Sequence, residues 1–140
     1  MRLVVAVSVS LDGVMQSPAG PGEDPSGQFT EGGWLVPYFD DEVGAFIGAG
    51  FATADALLLG RGTFDLLAAH WPKLTPEQDP GAELMNSLPR YVAGTPSLPV
   101  EWAGTTVLEG DVLDAIRSVK SQPGRDLLVQ GSPGLVQSLL

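Results

Sequence analysis

Two segments of the sequence run from an apolar stretch through glycine into an apolar pattern of helical period. They are "LLLGRGTF" (57–64) and "LLVQGSPG" (127–134). Glycine lets a ligand approach the backbone, and the first turn of a helix offers unpaired N–H groups at the positive end of its dipole. Each segment is therefore predicted to be a strand-to-helix turn, and together the two turns could hold the phosphates of one dinucleotide.

Arg61 lies between the two glycines of the first turn, in a chain that has only seven basic residues. Its guanidinium could pair with a phosphate, which the acidic surface of the protein would otherwise repel. The alternative is an ordinary turn with a solvated arginine, and spacing alone leaves both interpretations open because glycine-rich turns are common. Neither turn completes GxGxxG, so a standard Rossmann fingerprint is absent.

Composition excludes several other chemistries. The chain has no cysteine, which excludes disulfides, thiolate metal sites and a cysteine nucleophile. His70 is the only histidine, so a Ser-His-Asp triad or a zinc site would have to be built around it; a favourable interaction with a helix C-terminus is the simpler role. The net charge of −10 opposes binding to nucleic acid or to an anionic membrane surface. We predict no metal site and no nucleic-acid partner.

The N-terminus, "MRLVVAVSVSLDG", has a basic residue followed by an apolar run, as a signal peptide does. Two serines interrupt that run, Asp12 closes it, and no small-x-small cleavage site follows, so a first β-strand is favoured. No stretch approaches the roughly 20 apolar residues that a membrane-spanning helix needs. We therefore expect a cytoplasmic protein with no membrane partner.

The elements that must position the two turns alternate along the chain. We predict strands over 2–9, 56–59, 90–94, 105–110 and 126–131, and helices over 38–54, 63–69, 82–87, 111–122 and from Pro133 onward. This alternation predicts a single α/β domain with a mostly parallel central sheet in a three-layer α/β/α arrangement. The strand around 127–129 is apolar on both sides and is expected to be internal, with a neighbouring strand at each edge.

A loop rich in glycine and proline, residues 13–34, follows the first strand. So long a loop inside a compact domain is usually a lid, a binding loop or a disordered segment, and here a lid and a plain surface loop remain equally open. Trp34, Tyr38 and Phe39 flank it and could stack on a flat heterocycle or anchor the loop to the core. Asp12 precedes it, as a turn former or as an acid that contacts substrate.

Three motifs taken in order carry a resemblance to a known family: "VSLDGVM" (9–15), "ADALLLGRGTFDLLAAHWP" (54–72) and "DLLVQGSPGLVQSLL" (126–140). Together they resemble the dihydrofolate-reductase-like superfamily, in the branch of the riboflavin-biosynthesis pyrimidine reductase (RibD C-terminal) domain. The resemblance covers nearly the whole chain. It implies a dihydrofolate-reductase-like fold and an NADPH-dependent reductase of a small heterocyclic substrate. The implied activity is similar to 5-amino-6-(5-phosphoribosylamino)uracil reductase or to dihydrofolate reductase.

The resemblance also implies the site residues. The residues that would bind NADPH are Ser8 at the nicotinamide carboxamide, Gly60, Arg61, Gly62 and Thr63 on the adenosine phosphate and pyrophosphate side, and Gln130, Gly131, Ser132 and Gly134 from the second turn. Asp12, with Gly13, would lie on the loop that covers the substrate, and Asp12 is the expected catalytic residue.

The sequence departs from that family at several positions. The carboxylate that binds a pterin would fall at about Gly44, and the acidic cluster Asp40–Glu42 lies one turn earlier. A non-catalytic nucleotide-binding homologue is therefore a second hypothesis. Pro133 replaces a residue that could donate an N–H. The fold also normally adds further strands, so we expect either that residues 1–140 lack the last strands of the domain or that a partner, in a homodimer, completes the sheet.

Overall fold

The computed structural model of the chain describes residues 1–95, 99 and 101–140. The strands are β1 (Arg2–Ala6), β2 (Ala54–Gly60), β3 (Arg90–Ala93), β4 (Thr105–Val107) and β5 (Asp126–Gln130). The helices are α1 (Asp41–Thr53), α2 (Arg61–His70), α3 (Ala82–Ser87), α4 (Val112–Ser121) and α5 (Pro133–Leu139). Short 3₁₀ turns cover Ser26–Gln28, Val36–Tyr38 and Trp71–Lys73.

The five strands form one parallel sheet in the order β1-β5-β2-β3-β4. The prediction that β5 is internal is confirmed, because β5 pairs with β1 on one side and with β2 on the other. Both neighbours of β5 come from this chain, so β5 needs no partner or further strand to be internal.

The first strand is shorter than its apolar pattern predicts. The pattern predicts a strand over 2–9, whereas β1 ends at Ala6, opposite Gln130 of β5. The following residue of the partner, Gly131, has a φ of 62° and leads out of the strand, and its N–H donates to the carbonyl of Ala6. The hydrogen-bonded ladder between β1 and β5 stops there because β5 has turned away, so Ser8 lies beyond β1.

The second strand and its helix also have bounds that differ from the prediction. The prediction starts the helix at Thr63, but α2 begins at Arg61, directly after β2 ends at Gly60. Arg61 and Gly62 therefore belong to the first helical turn and are not part of a loop before it. Further upstream, the glycine-rich segment 48–53 lies within α1, inside the helix predicted over 38–54.

Helices cover both faces of the sheet and bury its central strands. Leu58 of β2 and Leu127 and Val129 of β5 are buried on one face with Ile116 and Val119 of α4, and apolar residues of α5 pack against this cluster. Leu57 and Leu59 of β2 are fully buried on the other face. On that side α2 contacts β2 and β3. The predicted three-layer α/β/α fold is confirmed.

The chain divides into two compact units, one formed by Met1–Ala6 with Ala49–Leu140 and the other by Val7–Gly48. The second unit contains the long glycine- and proline-rich loop, which is held by its own hydrogen bonds. The Gln16 amide donates to the carbonyls of Asp24 and Ser26, and the Trp34 indole donates to the carbonyl of Gln16. The loop is thus an ordered segment, with Trp34 as its internal anchor.

Across the residues that the structure describes, no helix combines the length and the apolar character that crossing a lipid bilayer would require.

Candidate functional site

The carboxyl ends of β2, β3 and β5 share one edge of the parallel sheet, and the two strand-to-helix turns meet there. A cleft of about 570 Å³ opens at this edge. Residues from both turns, from the end of β3 and from the start of α4 line it: Gly60, Arg61, Gly62, Ala93, Gly94, Val112, Leu113, Ser132, Gly134, Leu135 and Ser138. Ligands of open parallel sheets bind at such an edge, in the crevice beyond the carboxyl ends of the strands.

A single serine joins the two turns across the cleft wall. The Ser132 Oγ accepts a hydrogen bond from the Gly60 N–H at 2.9 Å and donates one to the Thr63 Oγ1 at 2.7 Å. Ser132 has a left-handed backbone, with φ 62° and ψ 71°, which a residue other than glycine adopts rarely. The second turn thus presents its serine side chain to the first turn, about 70 residues away in the sequence.

The approach of the two turns requires glycine at position 60. A Cβ on Gly60 would lie 2.6 Å from the Ser132 Oγ and 2.8 Å from the Ser132 Cβ, which is closer than real contacts allow. Gly131 is also constrained, since its φ is positive and a Cβ there would lie 3.3 Å from the Thr63 hydroxyl oxygen. These glycines therefore allow close packing of one turn on the other.

The first turn of α2 offers backbone donors that no side chain of the described chain caps. Gly60 is the N-cap residue and makes no side-chain capping bond, and the first turn holds no acidic residue. The N–H groups of an uncapped first turn, together with the helix dipole, favour an anionic group. At the second turn, Pro133 has no N–H and α5 is only seven residues long, so this turn offers fewer donors than its glycines suggest.

Arg61 differs from the other four arginines, all of which are described. Arg2, Arg117 and Arg125 pair with carboxylates, and Arg90 donates to buried backbone carbonyls. Arg61 is exposed at the cleft and forms no ion pair with any described residue. Its charge is thus available to a ligand.

The remaining predicted site residues lie in different places. Thr63 and Gln130 belong to the two turns without lining the cleft, whereas Ser8 and Asp12 belong to the second compact unit. Sequence analysis missed the apolar part of the lining, which comes from Ala93, Val112, Leu113 and Leu135, and also Gly94 and Ser138. The end of the third strand at 90–94 was a usable signal, because parallel strands place their carboxyl ends at a common edge.

The Asp12 carboxylate is exposed and held in its ionised form. The Ser10 hydroxyl donates to its Oδ1 at 2.6 Å, and this hydrogen bond lowers the pKa of Asp12 below its ordinary value. A carboxyl group that donates a proton near neutral pH needs the opposite shift. Asp12 is therefore suited to accept a hydrogen bond from a ligand and poorly suited to protonate one.

Two further candidates receive no support at this site. His70 is the last residue of α2, a ten-residue helix whose first residue is Arg61, so His70 lies at the end away from the cleft. Its ring packs edge-on against that of Trp71, with 5.5 Å between the ring centroids. Among the described residues, no group of three or more His, Cys, Asp or Glu side chains could hold a metal ion.

The five-stranded parallel sheet, with helices on both faces and a cleft at the carboxyl ends of its strands, defines a protein with the dihydrofolate-reductase-like fold. The sequence model of the RibD C-terminal domain matches residues 2–140, so the chain belongs to that family. The resemblance stated from the sequence is confirmed. No curated protein matches the chain. The family is associated with reductases of the riboflavin-pathway type, which suggests a nicotinamide cofactor.

Proposed function

We propose that this chain is an NADPH-dependent reductase of a small heterocyclic substrate, similar to the pyrimidine reductase of riboflavin biosynthesis or to dihydrofolate reductase. The observation that carries the proposal is the unpaired Arg61 beside the uncapped first turn of α2, in a cleft at the carboxyl edge of the sheet. A chain with a net charge of −10 has at this edge an arginine that no carboxylate of the described residues neutralises. An anionic ligand explains that placement.

The residues that line the cleft, together with the rest of the two turns, fit the adenosine half of such a cofactor. The N–H groups of Gly62 and Thr63 and the guanidinium of Arg61 would bind phosphate oxygens, because charge-assisted hydrogen bonds are the strong ones. The apolar lining from Val112, Leu113 and other residues suits a flat, largely apolar base. Gly131, Gln130 and Gly134 would contact the pyrophosphate from the second turn, as the family resemblance implies.

Bound NADPH supplies the hydride, and the protein binds and orients the two reactants. We place the nicotinamide carboxamide at Ser8 and the substrate at Asp12. The ionised carboxylate of Asp12 would accept hydrogen bonds from ring N–H groups of the heterocycle and fix its orientation. Tyr38 and Phe39 of the same compact unit are 75% and 54% exposed, which leaves their rings free to stack on a flat substrate.

The second candidate is a nucleotide-binding homologue without catalysis. It is favoured by α1, which has no charged side chain after Glu42, so no carboxylate stands at the position that would bind a pterin. It is also favoured by the lowered pKa of Asp12, because the described structure offers no protonated acid at that residue.

The test begins with titration of NADPH while the tryptophan fluorescence of the intact chain is followed. Saturable binding is expected, and its absence would contradict both candidate functions. NADPH oxidation is then followed at 340 nm with a panel of ribosylaminopyrimidine, pterin and folate substrates. Oxidation that depends on one of them supports the reductase, whereas binding without oxidation by any substrate favours the homologue without catalysis.

A further inference from the structure

Among the described residues that line the cleft, the polar side chains are those of Arg61, Ser132 and Ser138. Arg61 carries the positive charge at the first turn of α2, which suits a phosphate. The Ser132 hydroxyl is engaged between the two turns, where it bonds to the Gly60 N–H and to the Thr63 hydroxyl. Ser138 is therefore the polar side chain left for the uncharged part of a bound nucleotide.

The Ser138 hydroxyl lies at the cleft wall. Residues three or four apart on a helix share a face, and Gly134, Leu135 and Ser138 of α5 all line the cleft. The Ser138 hydroxyl donates to the carbonyl of Gly134 at 3.0 Å. Because glycine has no side chain, the part of Gly134 that borders the cleft is its backbone, and the hydroxyl is held beside it.

This hydroxyl offers the cleft an acceptor. A carbonyl oxygen has no proton to give, so the proton of the bond comes from Ser138 and the direction of the bond is fixed. No described residue donates to the Ser138 oxygen. A ligand that offers an N–H adds a hydrogen bond and leaves the bond to Gly134 intact. A ligand that offers an oxygen gains a bond only if the hydroxyl leaves Gly134.

The distance between the two ends of the cleft fits one nucleoside. Ser138 follows Ser132 by six residues, which is about 9 Å along a helix axis. That is the scale of a nucleoside from its 5′ oxygen to the far edge of its base, when its phosphate lies at the turns beside Arg61. The remaining side chains of the lining are apolar and suit the faces of a planar base: Ala93, Val112, Leu113 and Leu135.

We propose that Ser138 determines which base the cofactor carries: its hydroxyl oxygen accepts a hydrogen bond from the 6-amino group of adenine and disfavours a base with an oxygen at that position. This inference rests on the proposed function and deepens it, because it assigns a residue that reads the base in the same cleft. Ser138 is a specificity-determining residue and takes no part in hydride transfer.

The experiment compares NADPH with its reduced hypoxanthine analogue, in which an oxygen replaces the 6-amino group. Both affinities are measured by fluorescence titration of the unchanged chain and of Ser138→Ala. The unchanged chain should bind NADPH about fivefold more tightly than the analogue, the scale of one neutral hydrogen bond. In Ser138→Ala this preference should disappear. The melting temperature should not fall, because alanine is the better helix former.

Two further variants separate base recognition from an effect on the helix. Ser121→Ala removes a hydroxyl that likewise donates to a carbonyl of its own helix, that of Ser118, but does not line the cleft, and it should keep the fivefold preference. Ser138→Thr keeps a hydroxyl at the same position and should retain the preference, even where its extra methyl group weakens the binding of both cofactors. Loss of the preference in Ser138→Thr would overturn the proposal.

The remaining outcomes distinguish this inference from the proposed function. Equal affinities of the unchanged chain for NADPH and the analogue would overturn the inference and leave the proposed function standing. A full preference that persists in Ser138→Ala would do the same, because another group would then read the base. Absence of NADPH binding to the unchanged chain would remove the proposed function and this inference together.

Discussion

Among the described residues, Arg61 carries the one arginine charge that pairs neither with a carboxylate nor with a set of backbone carbonyls. If it pairs with the 2′-phosphate of the adenosine, Arg61→Ala should weaken NADPH binding by about 1.5–3 kcal/mol, the range for a charge-assisted hydrogen bond. NADH lacks that phosphate and should lose much less. Both affinities are measured by fluorescence titration of the same protein samples.

The matched control is Arg117→Ala, since Arg117 is an exposed arginine that pairs with Asp114 within α4. It should change neither affinity. Equal losses for NADPH and NADH in Arg61→Ala would contradict the assignment to the 2′-phosphate and would place Arg61 on the pyrophosphate instead.

At the scale of elements, a buried arginine joins α3 to the strand that follows it. Arg90 is fully buried, and its guanidinium donates to the carbonyls of Met85, Asn86, Leu88 and Ala103. It also lies over the Trp102 ring, 3.8 Å from the ring centroid. Burial lowers the pKa of Arg90 to about 10, which still leaves it ionised at neutral pH.

Arg90→Met should therefore lower the free energy of unfolding by about 2–4 kcal/mol, because several buried carbonyls would lose their donor. Urea denaturation followed by circular dichroism measures this change. Arg117→Met, which removes an exposed arginine, should stay within about 0.5 kcal/mol of the unchanged chain. A loss of similar size in both variants would contradict this prediction, because it would show that the buried hydrogen bonds of Arg90 stabilise the fold no more than an exposed arginine does.

An ion pair ties the edge strand β1 to β5 at the opposite end of the sheet. The Arg2 guanidinium binds both oxygens of Asp126, at 2.9 and 3.0 Å, and the Asp126 side chain is only 6% exposed. The hydrogen bond from Arg2 is the main reason that the pKa of Asp126 is lowered. A carboxyl group whose pKa is lower in the folded state than in the unfolded state stabilises the fold at any pH above its unfolded-state pKa, which is about 3.9. This contribution is lost as the pH falls through the folded-state pKa.

Asp126→Asn should thus be less stable than the unchanged chain at pH 7, and the difference should shrink as the pH falls below about 4. Thermal melts across pH 2–7 measure both features. Asp114→Asn, which changes an exposed carboxylate paired with Arg117, is the control and should leave the profile nearly unchanged. A stability difference for Asp126→Asn that does not depend on pH would exclude the proposed linkage.

At the scale of the whole molecule, the family resemblance predicts a homodimer. In the described part of the chain β1 is an edge strand, and Val5 on it is 41% exposed. Unpaired strand edges are surfaces on which chains associate. Light scattering should give twice the 14.6 kDa chain mass, and Val5→Lys should shift the population towards the monomer without changing the circular dichroism spectrum. A mass of 14.6 kDa at every concentration would contradict the prediction.

The sequence by itself determined the features that depend on local pattern. The alternation of strands and helices follows from apolar periodicity. The local pattern also places Asp111 to cap α4, and its carboxylate accepts from the Asp114 N–H at 3.0 Å. The same local signals identified the two glycine-containing turns and the unusual place of Arg61. The three motifs, taken in their order along the chain, were enough to identify the family.

Only the tertiary structure decided the features that depend on residues far apart in the chain. The strand order puts β5 between β1 and β2, and β1 ends where β5 turns away, neither of which follows from the pattern of residues 2–9. In the sequence Arg90 is one more basic residue, and nothing in the second turn alone shows that Ser132 bonds to Gly60 and Thr63. Their roles arise from long-range packing, because burial and the direction of a hydrogen bond are set by whichever element the fold brings alongside.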